Sequence, residues 1–126
     1  MTRIELRGVH HVQLAIPEAG EERGRAFYGG VLGLTEVAKP APLLHRGGCW
    51  FRGRGVEIHL GIDRDFRPAR KAHVAMLVAD LDETRSRLSA QGVEISEDDF
   101  EIGFRRFYSD DPFGNRLEFV AADGPG

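Results

Sequence analysis

The sequence predicts an α+β fold made of two βαβββ modules, because its two halves carry the same pattern. Residues 11–16 (HVQLAI) are echoed by residues 73–78 (HVAMLV), and residues 56–58 (VEI) by residues 117–119 (LEF). The two offsets, 62 and 61 residues, agree within one residue, as an internal duplication requires. We therefore expect a single domain over residues 1–126, with module one at about 8–62 and module two at about 72–121.

The first module reads as a strand, a helix and three more strands. Apolar side chains alternate with others in residues 9–16, which is the period of a half-buried strand, and Pro17 ends it. Residues 18–32 have acidic residues early and an apolar stripe, which predicts a helix ending at Gly33. Three more strands follow from short apolar runs bounded by proline and glycine turns: residues 34–38, 48–52 and 56–62.

The second module repeats this order after a polar, basic connector at residues 63–71. Residues 72–78 predict a strand, and residues 81–91 predict a helix capped by Asp80 and ended by Gly92. The segment 111–115 (DPFGN) has strong turn chemistry. The remaining strands are predicted at residues 93–95, 105–109 and 116–121.

Composition excludes several classes of function. Hydrophobic residues make up 41% and charged residues 29%, which is typical of a soluble protein with a buried core. A net charge of −3 argues against nucleic-acid binding, and no apolar run is long enough to span a membrane. The single cysteine, Cys49, rules out an intrachain disulfide and favours a cytoplasmic location.

The repeated residues are also good metal ligands. The strand period places His11 on the face opposite Val12, and His73 takes the same place in the second half. Glu57 and Glu118 lie likewise between apolar neighbours. Imidazole and carboxylate together suit a divalent ion such as Zn, Ni, Mn, Fe or Co, and this set leaves coordination positions open for a substrate.

One residue leaves the ligand set open. His59 lies two residues from Glu57 on the same strand face, roughly 6.6 Å along the strand, so we expect only one of the two to reach the ion. The repeat favours Glu57, which pairs with Glu118, whereas histidine is the commoner ligand type. The fourth ligand is therefore either Glu57 or His59.

Several segments of the chain resemble the vicinal oxygen chelate superfamily, which includes glyoxalase I, fosfomycin and bleomycin resistance proteins, methylmalonyl-CoA epimerase and extradiol dioxygenases. The segments that carry the resemblance are residues 11–14 (HVQL), 26–34 (AFYGGVLGL), 56–60 (VEIHL), 72–74 (AHV), 80–82 (DLD) and 111–118 (DPFGNRLE). The resemblance implies a cup-shaped mixed sheet around a divalent metal, and a homodimer. It also implies that His11, His73 and Glu118 are ligands, with Glu57 or His59 completing the set.

The resemblance implies a metal-dependent lyase, isomerase or dioxygenase acting on a small oxygen-rich substrate. In the glyoxalase-like case a carboxylate, Glu118 or Glu57, transfers a proton beside the chelated oxygens. The alternative is a dimeric protein that binds a small molecule or drug without chemistry. Candidate substrate-binding residues are Arg105 and Arg106, one of which would face the cup and hold an anionic group, and Trp50.

Overall fold

The structure, a computed structural model, describes residues 2–97 and 101–122. The first half contains β1 (Val12–Ile16), α1 (Glu21–Gly24), which continues as a π-helix (Arg25–Val31), β2 (Thr35–Val37), a 3₁₀ helix (Ala41–Arg46), β3 (Cys49–Gly53) and β4 (Val56–Ile62). The second half contains β5 (Val74–Val78), α2 (Leu81–Ala90), β6 (Ile95–Glu97), β7 (Arg106–Asp110) and β8 (Arg116–Ala121). The predicted α+β fold with two βαβββ units is confirmed.

The two halves form sheets with the same topology. The strand orders are β1-β4-β3-β2 and β5-β8-β7-β6. In each sheet the first strand pairs in parallel with the last, and the remaining pairs are antiparallel. Among the described strands, β1 pairs only with β4 and β5 only with β8, so each lies at the edge of its sheet, directly after its candidate histidine.

Strand alternation explains where the core lies. In β8 Leu117 and Phe119 face α2, and Glu118 points to the opposite, open face. The first helix packs closely on β4 at Gly24. A Cβ atom at that position would lie only 2.6 Å from Leu60 Cδ1. Each sheet thus has one face covered by a helix and one face that carries the polar residues.

The largest differences from the predicted elements lie in the first half, whereas in the second half β6 runs over Ile95–Glu97 instead of residues 93–95. β1 begins at Val12, so His11 precedes the strand instead of lying within it. The first helix starts at Glu21, and its later part is π-helical, with Leu32 N–H donating to Phe27 O. The 3₁₀ helix at Ala41–Arg46 was not predicted.

The predicted turn at residues 111–115 joins the two halves. The Tyr28 hydroxyl donates to Asp111 Oδ2 at 2.7 Å, and Asn115 Nδ2 donates to the Ala15 carbonyl at 2.9 Å. Arg23 donates to the Pro112 carbonyl at 2.7 Å. In the described part of the chain no helix has the length and apolarity to cross a membrane.

Candidate metal centre

The first cluster of candidate ligands forms around Glu57 in β4. Its Oε1 accepts a hydrogen bond from Arg52 Nε at 2.9 Å, and its Oε2 lies 2.8 Å from His59 Nε2. Arg52 lies directly opposite Glu57 across the β3–β4 pair. His59 follows two residues later on the same strand face. Both carboxylate oxygens of Glu57 are therefore held in place.

These contacts set the charge of the cluster. The hydrogen bond from His59, followed by that from Arg52, lowers the pKa of Glu57 to about 2. Burial lowers the pKa of His59, against the opposing effect of its hydrogen bond with Glu57. At neutral pH the cluster therefore presents a fixed carboxylate beside a neutral imidazole, which is a suitable pair for a cation.

A stack of three rings brings His11 to this cluster. The His59 ring lies between Trp50, at a centroid distance of 3.8 Å, and His11, at 3.9 Å. His10 Nδ1 lies 2.9 Å from His11 Nδ1 on the outer side of the stack. The stack buries His59, whose side chain is 3% exposed. His59 thus contacts both Glu57 and His11, while His11 remains accessible from solvent.

The second cluster forms around Glu118 in β8. Its Oε1 lies 2.8 Å from His73 Nε2, and its Oε2 accepts from Arg106 Nη1 at 3.3 Å. Tyr108 lies opposite Glu118 across the β7–β8 pair, and its ring meets the His73 ring edge-on at 5.7 Å. The Glu118 side chain is 7% exposed. A buried carboxylate is therefore paired with an imidazole at the open edge of the second sheet.

The hydrogen bonds of His73 fit a metal ligand. The Lys71 carbonyl lies 2.8 Å from His73 Nδ1, and a carbonyl can only accept, so Nδ1 carries the proton. On the other side of the ring, Nε2 lies 2.8 Å from Glu118 Oε1, and both are atoms that coordinate divalent ions. A backbone carbonyl on the distal nitrogen is a common support for a metal-binding histidine.

Within one chain the two clusters remain separate. In residues 2–97 and 101–122 no group of three or more His, Cys, Asp or Glu side chains is arranged to hold a metal ion. The chain instead presents two partial sets, one at His11, Glu57 and His59, the other at His73 and Glu118. Each set lies beside an edge strand.

The structure separates the candidate substrate-binding residues. Arg106 contacts Glu118 and belongs to the second cluster, whereas Arg105 pairs with Asp82 Oδ1 at 2.7 Å, next to α2. Adjacent strand positions face opposite sides, which is why only one of the two arginines reaches the open face. Trp50 lies in the ring stack of the first cluster.

Two arginines in these clusters were missed from the sequence. Arg52 binds Glu57 because the β3–β4 register places the two residues opposite each other. Arg116 lies two residues before Glu118 on the same strand face, and its guanidinium carbon is 4.8 Å from the Tyr108 ring centroid. The spacing of Arg116 from Glu118 was visible in the sequence and was the available signal.

Comparisons with known proteins agree with this architecture. The family model described as Glyoxalase/Bleomycin resistance protein/Dioxygenase superfamily matches residues 8–119. A crystal structure of a glyoxalase family protein from Bacillus anthracis is similar to this chain, with 45% identity and a TM-score of 0.91. That match covers 95% of this chain and 98% of the other.

More distant structures share the fold. The fosfomycin resistance protein FosX from Listeria monocytogenes is 20% identical, with a TM-score of 0.74, over 94% of this chain and 95% of that one. A glyoxalase family protein from Enterococcus faecalis is 22% identical, with a TM-score of 0.70, over 90% and 97% of the two chains. No protein of curated function shows significant sequence similarity to the chain.

Proposed function

The chain belongs to the glyoxalase/bleomycin resistance protein/dioxygenase superfamily, and on that premise we propose that it is a metal-dependent lyase or isomerase of small oxygen-rich substrates. The observation that carries the proposal is the pairing of His73 Nε2 with Glu118 Oε1 at 2.8 Å while the Lys71 carbonyl holds Nδ1. His11 and Glu57 supply the complementary set in the first half.

The two sets meet, in this proposal, across a homodimer. A catalytic metal site needs about three protein ligands, and within the described residues of one chain neither set is arranged to hold an ion by itself. In residues 2–97 and 101–122, β1 and β5 each leave one strand edge unpaired, and Leu77 on β5 is 73% exposed. Open strand edges with exposed apolar side chains favour association with another chain. We place His11 and Glu57 of one subunit with His73 and Glu118 of its partner.

The residues of the centre then have distinct roles. When bound, the divalent ion supplies positive charge that stabilises negative charge developing on a substrate oxygen. Glu57, with a pKa of about 2, is a weak base at neutral pH and serves as a fixed negative charge. We therefore assign proton transfer to Glu118. Such a transfer fits a lyase or isomerase better than a dioxygenase, the third reaction class that the resemblance implies.

Metal analysis of protein purified without chelator tests the proposal. We expect about one divalent ion per chain, because a dimer with two shared centres holds two ions. The ion should be lost in His73→Ala and in Glu118→Gln. His45→Ala is the matched control, since His45 is an exposed histidine outside both clusters. Wild-type protein that binds no divalent ion would refute the metalloenzyme and favour a small-molecule-binding protein without metal chemistry.

Mixed dimers test whether the sets meet across subunits. His11→Ala and His73→Ala chains are unfolded together in equal amounts and refolded. In a shared centre each mixed dimer regains one intact site, so about a quarter of all sites recover metal. If the centre forms within one chain, the refolded mixture binds no more metal than the separate variants. That outcome would refute the dimeric arrangement but not the proposal that the protein binds a metal.

A further inference from the structure

A cavity of about 400 Å³ lies at the end of the second sheet, where β7 and β8 meet their turn. Its walls come from the start of β6, from β7, from the turn at residues 110–112 and from β8, with Phe27 of the first helix on one side. Ser96, Tyr108 and Arg116 are among the polar residues that line it. The size suits a small molecule or one end of it.

Arg116 is the cation of this cavity that lacks an acidic partner. Asp110 lies opposite Arg116 across the β7–β8 pair, but its Oδ2 is bound by Arg70 at 2.8 Å. Glu94 also lines the cavity. The Arg116 guanidinium carbon lies 4.8 Å from the Tyr108 ring centroid, and among the described residues no carboxylate forms an ion pair with it. A half-buried guanidinium without a carboxylate is suited to binding an anion.

The cavity lies close to the second cluster. Arg116 and Glu118 are two residues apart on the same strand face, about 6.7 Å along the strand. Tyr108 lies opposite Glu118, and its ring contacts both the His73 ring and the Arg116 guanidinium. One small molecule can therefore reach from Arg116 to the His73–Glu118 pair.

We infer that this cavity binds the anionic group of the substrate, a carboxylate or a phosphonate, through Arg116. The planar guanidinium donates two parallel hydrogen bonds to such a group, and the Tyr108 hydroxyl offers a further donor. The inference rests on the proposed function for the position of the reacting end of the substrate. The anion site itself requires no metal.

Titration of metal-free protein, in the presence of chelator, with methylphosphonate, acetate and neutral acetamide tests the inference. Amide NMR signals of residues 108–116 are expected to shift with at least one of the two anions and not with acetamide. Arg116→Gln is expected to weaken this binding by about tenfold or more. Arg87→Gln is the matched control, because Arg87 is exposed on α2 and paired with Glu83, and it should bind the anions as wild type does.

The outcomes separate the possibilities. Shifts with methylphosphonate alone assign a phosphonate, and shifts with acetate alone assign a carboxylate. No shift with either anion, or equal binding by Arg116→Gln and wild type, overturns the inference. If Arg116→Gln does not fold, Arg116→Lys replaces it, and it should bind more weakly than Arg87→Gln because it lacks the planar fork. Metal content measured without anions tests the proposed function separately.

Discussion

The two halves of the chain have the same strands in the same order, yet each holds its glutamate differently. In the first half Glu57 is bound by His59 from its own strand and by Arg52 from the strand opposite. In the second half Glu118 is bound by His73, which precedes the edge strand β5, and by Arg106. The sheet register shows that the two glutamates are not counterparts: His59 lies opposite Gln13 and Glu118 lies opposite Ala75, so Glu118 takes the position of His59. Each carboxylate nevertheless contacts one imidazole and one guanidinium.

The consequence concerns the histidine at each edge. His73 contacts its glutamate directly, whereas His11, its counterpart in the repeat, stacks on His59 and has no contact with Glu57. His59 therefore stands between the two predicted ligands of the first half. The open choice between Glu57 and His59 becomes a question of whether His59 binds metal or positions Glu57.

Substitution of His59 gives the sharpest comparison of the halves. His11→Ala and His73→Ala remove ligands and should each weaken metal binding by about a thousandfold or more. His59→Gln leaves both carboxylates in place and should cost only about ten- to a hundredfold, as expected of a residue that orients a ligand. Metal affinities from competition with a chromophoric chelator measure the difference. An equal loss in His59→Gln and His73→Ala would make His59 a ligand.

In each half a hairpin turn precedes the last strand. We expect the turn between β7 and β8 to contribute more to the unfolding free energy than the turn between β3 and β4. Asn115 is 1% exposed and donates to the Ala15 carbonyl and Asp111 Oδ2, while its Oδ1 accepts from Ala69 N–H. Asn115→Ala leaves these groups unpaired and should cost about 3 kcal/mol of unfolding free energy.

The counterpart turn of the first half provides the control. Arg54 is exposed there, and Arg54→Ala should change the unfolding free energy by less than about 0.5 kcal/mol. Urea unfolding of both variants at one protein concentration compares them. Equal stability of the two variants would show that the buried turn does not join the halves energetically.

The helix N-termini give a smaller contrast. Asp80 caps α2 by accepting from Glu83 N–H at 3.0 Å, so Asp80→Ala should cost about 1 kcal/mol. Gly20 precedes α1 without a side-chain cap, and a Cβ there would lie 2.9 Å from the Pro17 carbonyl oxygen. Gly20→Ser should therefore destabilise the protein despite adding a good capping residue, and a stabilised Gly20→Ser variant in thermal unfolding would contradict this reading.

The smallest effect concerns the start of β3. Burial raises the pKa of the Cys49 thiol to about 11, whereas the counterpart position in the second half is held by the buried Phe107, which does not ionise. At pH 8 roughly one thiol in a thousand is ionised. Native protein should hardly react with iodoacetamide at pH 8 and should react faster as the pH rises toward 11. Rapid native labelling at pH 8, as fast as in urea, would show that the thiol is accessible.

Local patterns in the sequence predicted much of the fold. The alternation in β8 and the DPFGN turn before it predicted both ends of that strand correctly. The alternation before β1 did not, because His10 and His11 continue the pattern where no neighbouring strand pairs with them. The π-helical segment was missed because its apolar stripe resembles that of an α-helix, and only the Leu32 hydrogen bond distinguishes it.

The candidate site was harder to predict than the fold. The repeat placed His11 and His73 at matching positions, each directly before an edge strand. Its pairing of Glu57 with Glu118 was wrong, because in the sheet register Glu118 takes the position of His59. The partners of Glu57 and Glu118 depend on cross-strand register, which short-range patterns do not specify. The positions of Arg52 and Trp50 follow from the β3–β4 register, and His11 reaches His59 through the pairing of β1 with β4.

The ring stack also gives the protein an optical label. The chain has a single tryptophan, and Trp50 lies nearly parallel to the His59 imidazole at 3.8 Å. Indole emission is sensitive to a neighbouring ring and to charge placed close to it. Intrinsic tryptophan fluorescence therefore reports on the surroundings of the first cluster, and in the proposed dimer it also reports the ion that this cluster shares with the second cluster of the partner subunit.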